Sequence, residues 1–428
     1  MRANLYAATL CAAAMLPFSA GAQTIAITGG KVYTVSGATI ANGTVIIRDG
    51  KIVAVGADVA IPEGAQRIDA TGKWVTPGLV DAATVLGVSE ISAVQGTNDA
   101  SATGHDNVAA AFRVADGLNP TSIYLSPTRE DGVTTVMIHP GHGLFAGQSA
   151  VVEIVDGSAT DMIVKSSAAM VVDLDNPSDV GAQSRGEVLM RVREILDDAR
   201  TYARRRTDFE RAQTRPFAAS RLDLEALQPV LAGRLPLLIA VEKASDIQAA
   251  LRIAKEFGIR ILIGGGAEAW MVADELAAAK VGVLTGAMNN IPRNFNMLGS
   301  RQENAALLRA KGVEVALIGN AGGGDEEQFN VRNIRYEAGN AVAYGMKWDD
   351  ALRAITLAPA ELFGVGDRLG SLQAGRDANV VVWSGDPFEF ATRPEHVFVR
   401  GKEYHDVSRQ DLLMQRYKQL PPDFGPRP

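Results

Sequence analysis

Apolar and polar positions follow two different rhythms along this chain. Residues 24 to 75 read as short alternating strands. Thr44 to Ile47 and Lys51 to Val55 flank Arg48-Asp49-Gly50. An Asp-Gly pair between two β-branched runs predicts a hairpin. From Pro77 onward, short continuous apolar runs alternate with amphipathic segments. Val133 to Met137, Leu237 to Val241, Ile261 to Ile263, Val281 to Leu284 and Val315 to Ile318 have the composition of buried strands. Val188, Leu189, Val192, Ile195, Leu196, Ala199 and Tyr202 recur at helical spacing, as do Ile247, Leu251, Ala254 and Phe257. Strand and helix in steady alternation predict a closed parallel barrel with helices outside. After about Gly370 the strand rhythm returns in Ala378 to Trp383 and His396 to Arg400, with a turn at Arg400-Gly401-Lys402-Glu403.

The expected fold is therefore α/β: a TIM-like (β/α)8 barrel plus a small composite β-sandwich built from both termini. The boundaries fall at 23–76 and 370–408 for the sandwich and 77–369 for the barrel. Residues 409–428 form a C-terminal tail that ends Pro-rich from Gln419. Residues 1–22 read as a secretory signal. They hold a basic Arg2, an apolar run from Leu5 to Phe18, and small residues at Ala20 and Ala22. A periplasmic or secreted location is the expectation. The apolar run is too short for a membrane span, and no later stretch is long enough.

Composition narrows the chemistry. The chain has 428 residues, 47% of them hydrophobic, enough for a large core. Its one cysteine, Cys11, lies in the expected signal, so the mature chain offers no thiol nucleophile, thiolate metal site or disulfide. Net charge is −7, and removal of Arg2 makes it −8. No nucleic-acid partner is expected. The arginines at 200, 204, 205, 206, 211 and 215 are interspersed with Asp197, Asp198, Asp208 and Glu210, the pattern of a solvated helix face and the loop after it.

Thr76-Pro77-Gly78-Leu79-Val80-Asp81-Ala82-Ala83-Thr84-Val85-Leu86-Gly87 resembles the amidohydrolase superfamily signature T-P-G-L-[IV]-D-x-H-x-H-x-G. Other stretches support the likeness, which is strongest to the secreted, imidazolonepropionase-like branch. Arg113 to Pro120 resembles R-x-x-D-x-x-N-P, and Gly132 to Val136 resembles G-V-T-T-V. Pro140-Gly141 with Gly147-Gln148 is similar to a P-G-x(n)-G-Q loop. Ala351 to Gly364 matches a helix of the family, and Gly370 to Asn379 is similar to the G-S-L-E-x-G-K-x-A-D segment that opens its returning sheet.

The resemblance implies a hydrolase that uses one or two divalent metals to activate water against C–N bonds of cyclic amides or peptide-like compounds. The ligand positions it implies are changed here. The first-strand histidine pair is Ala83 and Val85. The strand-four carboxylate aligns with Asp175. The strand-five H-x-H reads Ala240-Val241-Glu242. The strand-six histidine is Gly265, and the strand-eight aspartate is Asn320, whose amide cannot act as a general base. The expectation is a chain without the family's metal centre and without a cofactor, acting as a pseudoenzyme. It would bind a small-molecule ligand or pair with an active related amidohydrolase, as a homo- or hetero-oligomer.

The alternative is an active enzyme with a rebuilt site for zinc or another divalent metal, made from His139, His142 and Glu242, with Asp175 nearby. His139 and His142 read first as loop histidines making ordinary hydrogen bonds, and only second as ligands. Gly264-Gly265-Gly266 and Gly322-Gly323-Gly324 lack the Lys-Ser/Thr of a phosphate loop and read as turns at strand ends. Asn289, Asn290 and Arg293, with Asn294 and Asn296, are candidate ligand-binding residues on the barrel rim, or a polar loop with helix caps.

Overall fold

The computed structural model describes residues 24–418 except 92, 103, 105, 106, 142, 176, 289–291, 293, 320–326, 406 and 408. The expected signal with Cys11 and the segment from Gln419 lie outside the described residues, as do Asn320 and Gly322 to Gly324.

The chain opens with β1 (Ile25–Val32), β2 (Ile40–Arg48), β3 (Lys51–Gly56), β4 (Gln66–Asp69) and β5 (Trp74–Pro77). The hairpin expected at Arg48-Asp49-Gly50 joins β2 to β3. Asp49 and Gly50 both have positive φ, 52° and 73°, as a tight turn matched to strand twist requires. β1 pairs β4 along its first half and β5 along its second. The sheet therefore branches and closes over Ile27, Val45, Ile52 and Val75.

Eight further strands make the barrel: β6 (Leu79–Thr84), β7 (Val133–Ile138), β8 (Phe145–Glu153), β9 (Ile163–Asp173), β10 (Leu237–Val241), β11 (Ile261–Gly265), β12 (Gly282–Thr285) and β13 (Val315–Leu317). They lie side by side in sequence order. Helices Arg185–Arg204 and Ala244–Phe257 fall where the apolar spacing placed them. The barrel departs from an all-parallel one at β8, which runs antiparallel to both β7 and β9. Only residues 139–144 separate β7 from β8. That is far too short for the crossover a parallel pair needs. Gly147 and Gln148, expected in a loop, accordingly sit inside β8.

Both faces of the barrel strands are buried, so they read as unbroken apolar runs rather than alternating ones. Leu237 and Ile239 face the outer core, where Val188, Val192 and Ile195 of the long helix also lie. Leu238 faces inward with Val80, Met137, Val171, Leu262, Leu284 and Ala316, and Phe363 and Leu369 join that inner core. β6 and β13 share no strand ladder.

After the barrel come β14 (Val380–Trp383), β15 (Pro394–Val399) and β16 (Lys402–Tyr404). β14 pairs antiparallel with β5, so the two ends of the chain build one sheet, as the returning strand rhythm implied. Gly78 is the single residue between β5 in that sheet and β6 in the barrel. A Cβ there would stand 2.1 Å from Thr134 Oγ1, so only glycine fits the junction. The expected tail begins as an exposed helix, Arg409–Tyr417. No helix of the described residues is long and apolar enough to cross a membrane.

Candidate functional site

The period of two along each strand decides what lies at the barrel mouth. One inward step beyond Val171, Leu238, Leu262 and Ala316 come Asp173, Ala240, Gly264 and Ile318. These residues line a cavity of about 520 Å³. Ala83, Asp175, Glu242 and Gly265 line it too, as do His139 and Asn294. Five of the positions singled out by resemblance (83, 175, 240, 242 and 265) therefore converge on one space at the C-terminal rim, where barrel enzymes carry their sites. Val85 is not among them; it packs against the outer core. Asn320 lies outside the described residues. Asp173 and Asp179 were missed in the sequence, although the alternation from Val171 points to the first of them.

Small residues at Ala240, Gly264 and Gly265 leave room in the cavity, and one charged side chain occupies part of it. Glu242 accepts the backbone N–H of Ala267 at 2.8 Å. A Cβ built on residue 265 would fall 2.5 Å from Glu242 Oε1 and 2.8 Å from its carboxyl carbon. The glutamate thus occupies the direction in which any side chain at 265 would project. Gly265 and Gly266 have φ of 84° and 62°, so this glycine run makes the left-handed turn leaving β11. Nearby Glu268 ties the rim together, accepting N–H groups from Ala244 and Gly299 at 3.0 Å each.

His139 follows β7. Its Nε2 lies 2.9 Å from the Ala82 carbonyl, which can only accept, so Nε2 carries the proton. Nδ1 then holds the lone pair. Burial pushes the imidazole pKa down to about 4, against the weaker upward pull of that carbonyl. The ring is neutral at pH 7. Asp175 lines the same cavity. Burial raises its pKa, while the Asn296 amide, donating to Asp175 Oδ1 at 3.1 Å, pulls it back.

Asn296 also donates to the Asp175 carbonyl at 2.8 Å and accepts from Arg185, whose Nε reaches Asp246 at 2.6 Å. Asn294 accepts the Asn296 N–H at 2.8 Å and caps the turn Phe295–Met297. In this loop the capping and site-building roles coincide. Asn289, Asn290 and Arg293 lie outside the described residues.

The residues present do not fit a divalent metal in the manner the resemblance implies. Ala83 and Ala240 present methyl groups to the cavity, and the Glu242 carboxylate lies across the space above Gly265. Among the described residues, no three His, Cys, Asp or Glu side chains come together as a metal-holding group. Of the rebuilt set, His139 and Glu242 line the cavity and His142 lies outside the described residues.

Comparison with known proteins agrees with the barrel. A model of the amidohydrolase family matches residues 267–404. The amidohydrolase tasK of Hapsidospora irregularis is 25% identical over 397 residues, which cover 85% of this chain but 40% of that protein. The imidazolonepropionase of Acidiphilium cryptum is 24% identical over 390 residues, 82% of this chain and 89% of its own. Among solved structures, an amidohydrolase from Thermotoga maritima superposes with a TM-score of 0.80 at 28% identity, covering 89% of this chain and 99% of that one. Molinate hydrolase, at 21% identity and a TM-score of 0.57, shares the fold.

Proposed function

Taking the chain as a protein of the amidohydrolase superfamily, we propose that it is a pseudoenzyme that binds a small polar ligand at the barrel mouth. One observation carries this reading. The Glu242 carboxylate, held by the Ala267 N–H, lies where a ligand side chain on residue 265 would have to stand. The methyl groups of Ala83 and Ala240 support it. The cavity itself is roomy, and its lining includes the neutral His139 imidazole and the side chains of Asp175 and Glu242 as groups able to accept from a bound molecule. A peptide-like or cyclic amide compound, rich in N–H donors, suits such a lining. In this reading the protein is exported to the periplasm or secreted, and works beside a second copy or a related active amidohydrolase.

The test is elemental analysis of the mature protein, expressed with zinc, manganese and iron available and purified without chelator or affinity tag. Metal far below one equivalent is expected. One equivalent or more would overturn the reading, and a loss of that metal in His139→Ala would point to the rebuilt site.

A further inference from the structure

A second cavity, of about 300 Å³, lies between helix Ile334–Ala343, the start of helix Trp348–Ala354 and the loop that follows β14. It shares no lining residue with the barrel mouth and does not depend on the reading of that site. Its walls are Tyr336, Trp348, Phe388 and Phe390, with Asp386 and Glu389 between them. Tyr336 and Phe390 stack with ring centroids 4.5 Å apart, and Trp348 lies 4.9 Å from Phe388. Phe390 is 81% exposed, so apart from its contact with Tyr336 most of its surface stands in water.

Two carboxylates in this aromatic setting lack a cationic partner among the described residues. Asp386 accepts N–H groups from the Trp348 indole at 3.0 Å and from the Phe388 backbone at 3.0 Å. Both donors are neutral, so they orient the carboxylate without cancelling its charge. The Glu389 side chain takes no hydrogen bond or ion pair among the described residues. Arg335 is close by: its guanidinium lies 4.3 Å from the centre of the Tyr336 ring and donates to the Tyr336 hydroxyl, while its Nη1 donates to the carbonyls of Pro387, Glu389 and Thr392 and fixes the loop, which leaves Phe390, Phe388 and Trp348 as the ring faces open to a cation. The same aromatic group already attracts an ammonium on its other side. Trp348 packs on Tyr33 and Trp74, and Lys31 Nζ sits 4.2 Å from the centre of the Trp74 ring. The Tyr33 hydroxyl is held above its ordinary range by burial and by the charges of Asp386 and Asp349.

We propose that this cavity binds a small organic cation, an ammonium or N-methylated ammonium group, clasped by aromatic faces and counter-charged by Asp386 and Glu389. Ring faces are negative, so they attract a cation, and a weakly hydrated one loses little on leaving water. An anion would meet two carboxylates. A neutral apolar ligand would bury them without compensation.

The test is a ligand-observed NMR titration of the full chain with choline and with its uncharged carbon isostere, 3,3-dimethylbutan-1-ol. Saturable choline binding is expected, with the isostere about tenfold weaker or worse. Phe390→Ala and Glu389→Gln alter exposed side chains and should keep the melting temperature, yet each should weaken choline by about three- to tenfold. Equal binding of the two compounds would overturn the proposal, as would no saturable binding of choline or unchanged affinity in both variants. So would a wild-type dimer in sedimentation that Phe390→Ala converts to monomer, because the aromatic patch would then be a contact between copies.

Discussion

Asp81 Oδ2 accepts the backbone N–H of Gly319 at 2.9 Å, while Oδ1 accepts that of Ala83 at 2.9 Å. Asp81 stands on β6 and Gly319 just beyond β13, the two strands that share no ladder. A fully buried carboxylate thus bridges the seam of the barrel, beside a backbone bond from Val80 to the Ile355 carbonyl. Asp81→Ala would leave two N–H groups without their acceptor. Charge-assisted bonds and orphaned donors both weigh in, so a loss of about 3 kcal/mol is expected. Asp81→Asn keeps one acceptor and should lose less. The measurement is the urea midpoint at unchanged slope. A shift worth less than about 0.5 kcal/mol would mean that the carboxylate does not hold the seam.

Gly265 carries two separable constraints, its φ of 84° and the Glu242 carboxylate 2.5 Å from any Cβ. Gly265→Ala should cost about 2 kcal/mol, from left-handed strain and from displacing a carboxylate bonded to Ala267. In a Glu242→Ala background the contact vanishes and only the backbone strain remains. The cycle should therefore show a coupling of about 1 kcal/mol between the two sites. Additive effects would mean that the carboxylate swings aside freely.

The sequence carried the barrel, the composite sheet and the position of the candidate site, each through a local physical signal. Asp49-Gly50 announced its turn because few residues tolerate two positive φ values in succession. The convergence of Ala83, Ala240, Glu242 and Gly265 followed from their places at strand ends. The reversal of β8 was hidden, because its apolar residues read alike in either direction. What decides the reversal is the short connection from His139 to Leu144, and its length carries meaning only once both flanking strands are known. Val85, which the resemblance aligns with a ligand position, packs against the outer core just past the irregular pairing between Asp81 and Thr84. The Arg185–Asn296–Asp175 chain joins residues from three parts of the chain, and no local pattern can reveal such a network.

Glu153, fully buried on β8, accepts from Asn379 Nδ2 at 2.7 Å and from Arg400 Nε at 2.5 Å. Both partners belong to the C-terminal part of the sheet, so this carboxylate fastens sheet to barrel. Arg400 also reaches solvent, which tempers the electrostatic part. Glu153→Gln should still cost about 2 kcal/mol, because the amide cannot satisfy a guanidinium and an amide donor as a carboxylate does. If the sheet is fastened mainly here, the variant should also unfold in two steps, seen as non-coincident near- and far-UV transitions. A single transition at unchanged midpoint would remove Glu153 from that role.

His139 gives the chain a calculable response to acid. Its folded pKa of about 4 lies below the ordinary 6.5, so the unfolded chain binds the proton more readily between those values. Stability from this group is complete above pH 6.5. It falls as the pH drops toward 4, and the loss levels off below that. The full difference is up to about 3 kcal/mol. Carboxylates titrate in the lower part of the same window, so the wild-type curve alone does not isolate the histidine. His139→Gln retains an amide donor for the Ala82 carbonyl and cannot titrate. Its stability curve should run flatter than wild type between pH 6.5 and 4, and because the carboxylates are common to both proteins the difference between the two curves reports the histidine. Parallel curves through that interval would show that the imidazole is protonated in the folded protein as easily as in water, and that the cavity around it is wetter than its surroundings imply.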